Sequence, residues 1–141
     1  MLAYPKPRVC ECVTPTWKLS QSKFNFSISL SILDLSQKNF MSSLIFQWVS
    51  NISFNLFELD LSGNRMVDSP SNCYGIVMKS LEVLDLSDNR LKGGVFKSFM
   101  NVCTLRSLDL SENNFAEDLQ TILQNISSGC VRNSLQVLYL S

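Results

Sequence analysis

The chain predicts an α/β fold of the solenoid kind, a right-handed spiral of short coils that each give one strand to a parallel sheet on the concave side. Three observations carry this reading. One eleven-residue pattern occurs four times in full: LSILDLSQKNF from Leu30, LFELDLSGNRM from Leu56, LEVLDLSDNRL from Leu81 and LRSLDLSENNF from Leu105. The starts of these copies, with a fifth at Leu135, are 26, 25, 24 and 30 residues apart, a period at which one supersecondary unit stacks on the next. Within each copy the leucines alternate at period two, which puts them on one face of a strand. The fifth copy, LQVLYLS, reaches only its strand by Ser141, so the solenoid is expected to be incomplete at about four and a half coils.

The pattern is the leucine-rich repeat LxxLxLxxNxL. Leu33 and Leu35, Leu59 and Leu61, Leu84 and Leu86, Leu108 and Leu110, and Leu138 and Leu140 are the inward pairs. One coil cannot bury its leucines alone; stacked coils make a continuous apolar column. Asn64, Asn89 and Asn113 follow the strands where the chain must turn, and an amide there can bond backbone groups of its own coil and a neighbouring one. The first copy has Lys38 at that position, which cannot accept a hydrogen bond, so this turn is expected to depart from the others with Asn39 as a substitute. The return side of each coil is expected to be irregular or to hold short 3₁₀ turns.

Composition narrows the function. Twelve basic and twelve acidic residues give a formal net charge of zero, without the basic excess of a nucleic-acid binder. The chain has no histidine, no GxSxG and no phosphate loop, so the reading contains no catalytic residue, no metal ligand and no cofactor. Gly93-Gly94 reads as turn chemistry. The tryptophans and most phenylalanines read as filling for the interior and the gaps between coils.

Residues 1–23 form an irregular non-repeat segment and residues 24–141 the repeat domain. The opening MLAYPKPRVCECVTPTWKLSQSK has no apolar run of about seven residues and so does not read as a signal peptide. No stretch reaches the roughly 18 apolar residues of a membrane-spanning helix.

Five cysteines leave at least one unpaired. Cys103 lies two residues before Leu105, and Cys130 five before Leu135 on the next coil, a placement open to either a disulfide or two buried thiols. A bridge would staple the longest repeat to the preceding coil. Asn25, Asn51 and Asn125 begin N-x-[ST] sequons outside the strands and are candidate glycosylation sites.

The non-leucine strand positions face outward and align in columns. Asp34, Asp60, Asp85, Asp109 and Tyr139 form one column, and Ser36, Ser62, Ser87, Ser111 and Ser141 the next. Because Asp and Ser hardly change from coil to coil, they read as the strand's own bonding rather than as ligand contacts. The varying positions are the candidates for a peptide or protein ligand: Phe57, Glu58, Arg65, Glu82, Val83, Asp88, Arg90, Arg106, Glu112 and Tyr139. The concave face is acidic at Glu58, Glu82, Asp85, Asp88, Asp109 and Glu112, with Arg65, Arg90 and Arg106 nearby, which suits a basic partner with Arg–carboxylate pairs tuning specificity.

The flavour LDLSxNxL, followed at Lys92 to Phe96 by KGGVF, resembles the plant extracellular repeat LDLSxNxLxGxIP, with Phe96 in place of the proline. SSLIFQWVSNIS from Ser42, GGVFKSFMNVCTLRSLDLSENNF from Gly93 and LQNISSGCVRNSLQVL from Leu123 resemble plant receptor-like proteins, particularly those similar to fungal ethylene-inducing-xylanase receptors. This resemblance implies part of the extracellular side of a plasma-membrane receptor that acts in plant defence and signals through a receptor kinase co-receptor. Two alternatives stand beside it: a secreted leucine-rich-repeat inhibitor of a microbial wall-degrading hydrolase, and a non-functional truncated gene product.

Overall fold

The computed structural model describes residues 30–42, 45, 49, 55–67, 78–116 and 119–141. Segment 1–23, the sequons at Asn25 and Asn51, and Cys10, Cys12 and Cys73 lie outside the described residues.

Each repeat contributes a three-residue strand: β1 (Ile32–Asp34), β2 (Glu58–Asp60), β3 (Val83–Asp85), β4 (Ser107–Asp109) and β5 (Val137–Tyr139). They pair in chain order, all parallel, in one open sheet. The register sets Leu33, Leu59, Leu84, Leu108 and Leu138 side by side, so leucines share one face and the intervening residues the other. Leu59, Leu61, Leu84, Leu86, Leu108 and Leu110 are fully buried, together with Leu56, Leu81 and Leu105 at the repeat starts. Burying each such side chain stabilises the fold by roughly 1.5–3 kcal/mol. The corresponding leucines of β1 and β5 are half-buried.

The return side holds α1 (Val95–Phe99), α2 (Leu119–Ser127) and a 3₁₀ turn at Cys130–Asn133. Helices therefore replace the expected irregular path in the coils from Leu81 and Leu105, and apolar spacing explains why. In VFKSF, Val95, Phe96 and Phe99 recur within one helical turn and are all buried. In LQTILQNIS, Ile122 and Ile126 stand four apart and pack on the same core. The coil from Leu105 is the longest, and it carries the longer helix. Phe96, at the proline position of the plant-type tail, is buried and packs against Phe115 at a ring-centroid distance of 5.2 Å.

Asparagine fastens one coil to the next. Asn89 is 7% exposed; its Nδ2 donates to the carbonyls of Leu86 (3.1 Å) and Ser87 (3.1 Å) in its own coil and of Leu61 (3.0 Å) in the preceding one. Its Oδ1 accepts from the N–H of Met66 at 3.1 Å. Asn64 and Asn113 repeat the arrangement, Asn64 reaching the Leu35 carbonyl and Asn113 the Leu86 carbonyl. The Lys38 turn keeps its course because Asn64 Oδ1 accepts both the Lys38 and Phe40 N–H groups, at 3.0 Å each. Asn39 does not take over the missing role; it is exposed, with φ +61°, and that is where this turn departs from the rest.

The residue just before each asparagine position is left-handed: Gln37 (φ 54°), Gly63 (62°), Asp88 (50°) and Glu112 (52°). Its N–H reaches the next coil, as in Gly63 to the Ser87 carbonyl at 3.0 Å. Only Gly63 adopts this conformation without a Cβ penalty.

Two substitutions separate these contributions. Asn89→Leu strips partners from buried backbone groups of two coils at once and should lower unfolding stability by roughly 2–4 kcal/mol. Gly63→Ala should lower it by only about 1–2 kcal/mol through backbone strain. Urea unfolding of both variants checks the order, and a smaller loss for Asn89→Leu than for Gly63→Ala contradicts the account.

Candidate functional site

The outward face of the sheet presents two registered rows. Ile32, Glu58, Val83, Ser107 and Val137 form one; Asp34, Asp60, Asp85, Asp109 and Tyr139 form the other. Strands about 4.8 Å apart bring four carboxylates into line, where like charges repel one another weakly through water. Each is held within its own coil. Asp34, Asp60, Asp85 and Asp109 accept through Oδ1 from the N–H of the serine two residues on, at 2.8–2.9 Å. Ser87 and Ser111 also donate their hydroxyls to the same oxygen, at 2.6 Å. These are local turn bonds, not bonds between coils.

The Ser36 hydroxyl, then its N–H, with a smaller contribution from the charge of Lys38, hold the exposed Asp34 carboxyl below its ordinary value of 3.8. A depressed folded-state value means that the stabilisation is present above 3.8 and is lost as pH falls through the folded value.

The sequence candidates fall into three places. Glu58, Val83 and Tyr139 stand on the strands themselves, Tyr139 being 53% exposed. Phe57, Glu82 and Arg106 stand where the chain enters its strands; Phe57 is 41% exposed and so faces solvent rather than filling the interior. Arg65, Asp88, Arg90 and Glu112 stand beyond the strands at the asparagine turn, all exposed. Among the described residues the one ion pair is Arg106 Nε to Glu82 Oε2, at 2.8 Å, so the aspartate row has no basic side chain paired with it. Ile32 and Val137 complete the face. They are exposed apolar residues at its two ends, and their outward column position with an apolar side chain was the signal for them.

A cleft of about 330 Å³ adjoins the Arg106–Glu82 pair, lined also by Cys103, Thr104, Asn133, Ser134 and Gln136. Its far wall comes from the long fourth repeat, and a Cys103–Cys130 disulfide (Cα–Cα 5.0 Å) holds that wall in place. The Val131 N–H donates to the Met100 carbonyl at 3.1 Å, and Gly129 packs so closely on Met100 that a Cβ there would collide with its backbone. Spacing alone did not indicate this cleft, because it depends on where the inserted residues fold back. Among the described residues no group of His, Cys, Asp or Glu is placed to hold a metal ion, and no helix is long and apolar enough to cross a membrane.

Removing the bridge in Cys103→Ser/Cys130→Ser releases a loop of 27 residues and should cost roughly 2–4 kcal/mol, with hydrogen exchange rising over α2 and the 3₁₀ turn first. Equal acceleration across β2 and β3 contradicts local stapling. In an NMR titration the Asp34 carboxyl should titrate below 3.8, and Ser36→Ala should move it upward; an unmoved value excludes the hydroxyl as the cause.

The Leucine Rich Repeat family model matches residues 80–102 and 104–128. Receptor-like protein EIX2 of Solanum lycopersicum is 36% identical over 115 residues, covering 81% of this chain and 11% of that protein. Receptor-like protein kinase BRI1-like 3 of Arabidopsis thaliana is 29% identical over 96 residues, 67% of this chain and 8% of that protein. Receptor-like protein EIX1 of Solanum lycopersicum is 38% identical over 68 residues, 48% of this chain and 6% of that protein. The chain thus spans about a tenth of the length of the curated relatives it matches. Register, asparagine turns and similarity agree: the chain is a leucine-rich-repeat solenoid, and its sequence is similar to plant receptor-like proteins.

Proposed function

We propose that this chain is a recognition segment on the extracellular side of a plant cell-surface receptor-like protein, acting in defence signalling with a receptor kinase as co-receptor. Its ligand is a basic peptide, or an extended basic segment of a protein, lying across the outward face of the sheet. The observation that carries this reading is the row Asp34, Asp60, Asp85 and Asp109, paired with no basic side chain among the described residues, on a face with exposed Ile32 and Phe57 at one end and Val137 and Tyr139 at the other.

Four strand spacings of about 4.8 Å make roughly 19 Å between the end strands, the reach of about six extended residues. A peptide with apolar side chains about six residues apart and Lys or Arg between them matches both the spacing and the charge. Apolar anchors would supply most of the affinity, and the carboxylates would steer encounter and reject acidic partners. The candidate residues Glu58, Arg65, Glu82, Val83, Asp88, Arg90, Arg106 and Glu112 would then tune side-chain choice along the path.

Titration calorimetry with a library of such peptides tests this. Asp85→Asn/Asp109→Asn should weaken binding several-fold and flatten its dependence on salt, while Tyr139→Ala should weaken it at every salt concentration. Peptides that bind equally well after both changes, or a preference for acidic sequences, exclude this face as the site.

A further inference from the structure

We infer that Asn125 carries an N-linked glycan on the return side of the solenoid; the inference rests on the extracellular reading above. Asn125-Ile126-Ser127 is a sequon without proline, and it falls on the last turn of α2. The three residues divide as a glycan requires. Ile126 packs on the apolar core, whereas Asn125 is half-exposed and Ser127 exposed. The Ser127 hydroxyl donates to the Gln124 carbonyl at 2.9 Å. The Asn125 side-chain amide has no hydrogen-bond partner among the described residues, so substituting its nitrogen breaks no bond of the fold. Its backbone carbonyl accepts from the Ser128 hydroxyl at 2.7 Å and from the Ser128 N–H at 3.3 Å.

A second observation points to the same compartment. Cys130, five residues on, is joined to Cys103, and such bridges persist where the surroundings are oxidising. In the secretory lumen the chain meets both an oxidant for the thiols and a lipid-pyrophosphate-linked oligosaccharide. The amide nitrogen of Asn125 displaces the lipid pyrophosphate from the anomeric carbon of the first sugar. One N–C bond forms, one C–O bond breaks, and one amide proton is lost. Helix α2 lies across the leucine core from the strand rows, so a glycan there covers the return side and leaves the outward sheet face open. A co-receptor must then approach by a surface other than α2.

The test is secretion of the full chain, with a secretory leader appended, from a eukaryotic host. Peptide N-glycosidase treatment in heavy-oxygen water, followed by peptide mass spectrometry, should find labelled aspartate at position 125. Ser127→Ala should abolish the label, and Ser127→Thr should keep it. An unlabelled Asn125 in molecules whose Cys103–Cys130 bond has formed overturns the proposal, because that bond reports passage through the oxidising lumen. Peptide titration of the same glycosylated material reads the receptor function separately: a labelled protein that binds no basic peptide sinks the proposed ligand and leaves the glycan standing.

Discussion

The whole solenoid hangs on one side chain used three times. Asn64, Asn89 and Asn113 each donate to a carbonyl of their own coil and to one of the coil before it. The turn they occupy is buried beside the leucine column, where unpaired backbone groups would each cost about 1–3 kcal/mol. Because each amide spans two coils, no coil can be completed without its neighbour. That couples the turns as tightly as the leucines couple the cores, and it makes stability a property of neighbouring coils in sequence rather than of any one coil. The Lys38 turn shows the direction of the coupling. It lacks its own asparagine, yet Asn64 from the following coil supplies the acceptor for Lys38 and Phe40.

What could be read from residues alone was whatever repeats. Period-two leucines give the strands, and the copy starts at Leu30, Leu56, Leu81, Leu105 and Leu135 give the register that pairs Asp34, Asp60, Asp85 and Asp109. The parts that escaped lie between copies, where lengths differ. Val95, Phe96 and Phe99 recur at helical spacing, but a helix of five residues is too short for its period to stand out in the sequence. The cleft beside Arg106 depends on Gly129 closing onto Met100, a long-range contact that no local pattern announces. Cys103 and Cys130 were equally compatible with a bridge or with separate thiols until the fold-back fixed their separation. The left-handed residue before each asparagine was hidden for a different reason: Gln37, Asp88 and Glu112 occupy a conformation that glycine would announce, and only Gly63 does so.

The aspartate row shows how one residue can serve the fold and still remain available. Turn bonds from the following serine N–H groups use one carboxylate oxygen, Oδ1, and leave the residue pointing out of the sheet. At Asp34 the bonds from Ser36 also favour the charged form, as its lowered value records. A residue without a short side-chain acceptor in this column would lose the turn bond; Tyr139 occupies it only on β5. The charge on this face is therefore a by-product of strand termination, and every protein built from LDLS coils inherits it.

If the acidic row comes with the repeat, it cannot by itself discriminate one ligand from another. For the proposed ligand, discrimination would come from the positions the fold leaves unconstrained, and these lie in two sets. One is the row Ile32, Glu58, Val83, Ser107 and Val137, whose chemistry changes at every strand while its backbone geometry does not. The other is the entry row Phe57, Glu82 and Arg106, where the only ion pair among the described residues meets the cleft built from the stapled insertion. Rigid strands hold both sets in fixed register, so a change in a single side chain alters one contact without moving the rest. The asparagine turns and buried leucines are what allow this: because they fix every coil's position independently of the outward residues, the outward face is free to vary while the scaffold is not.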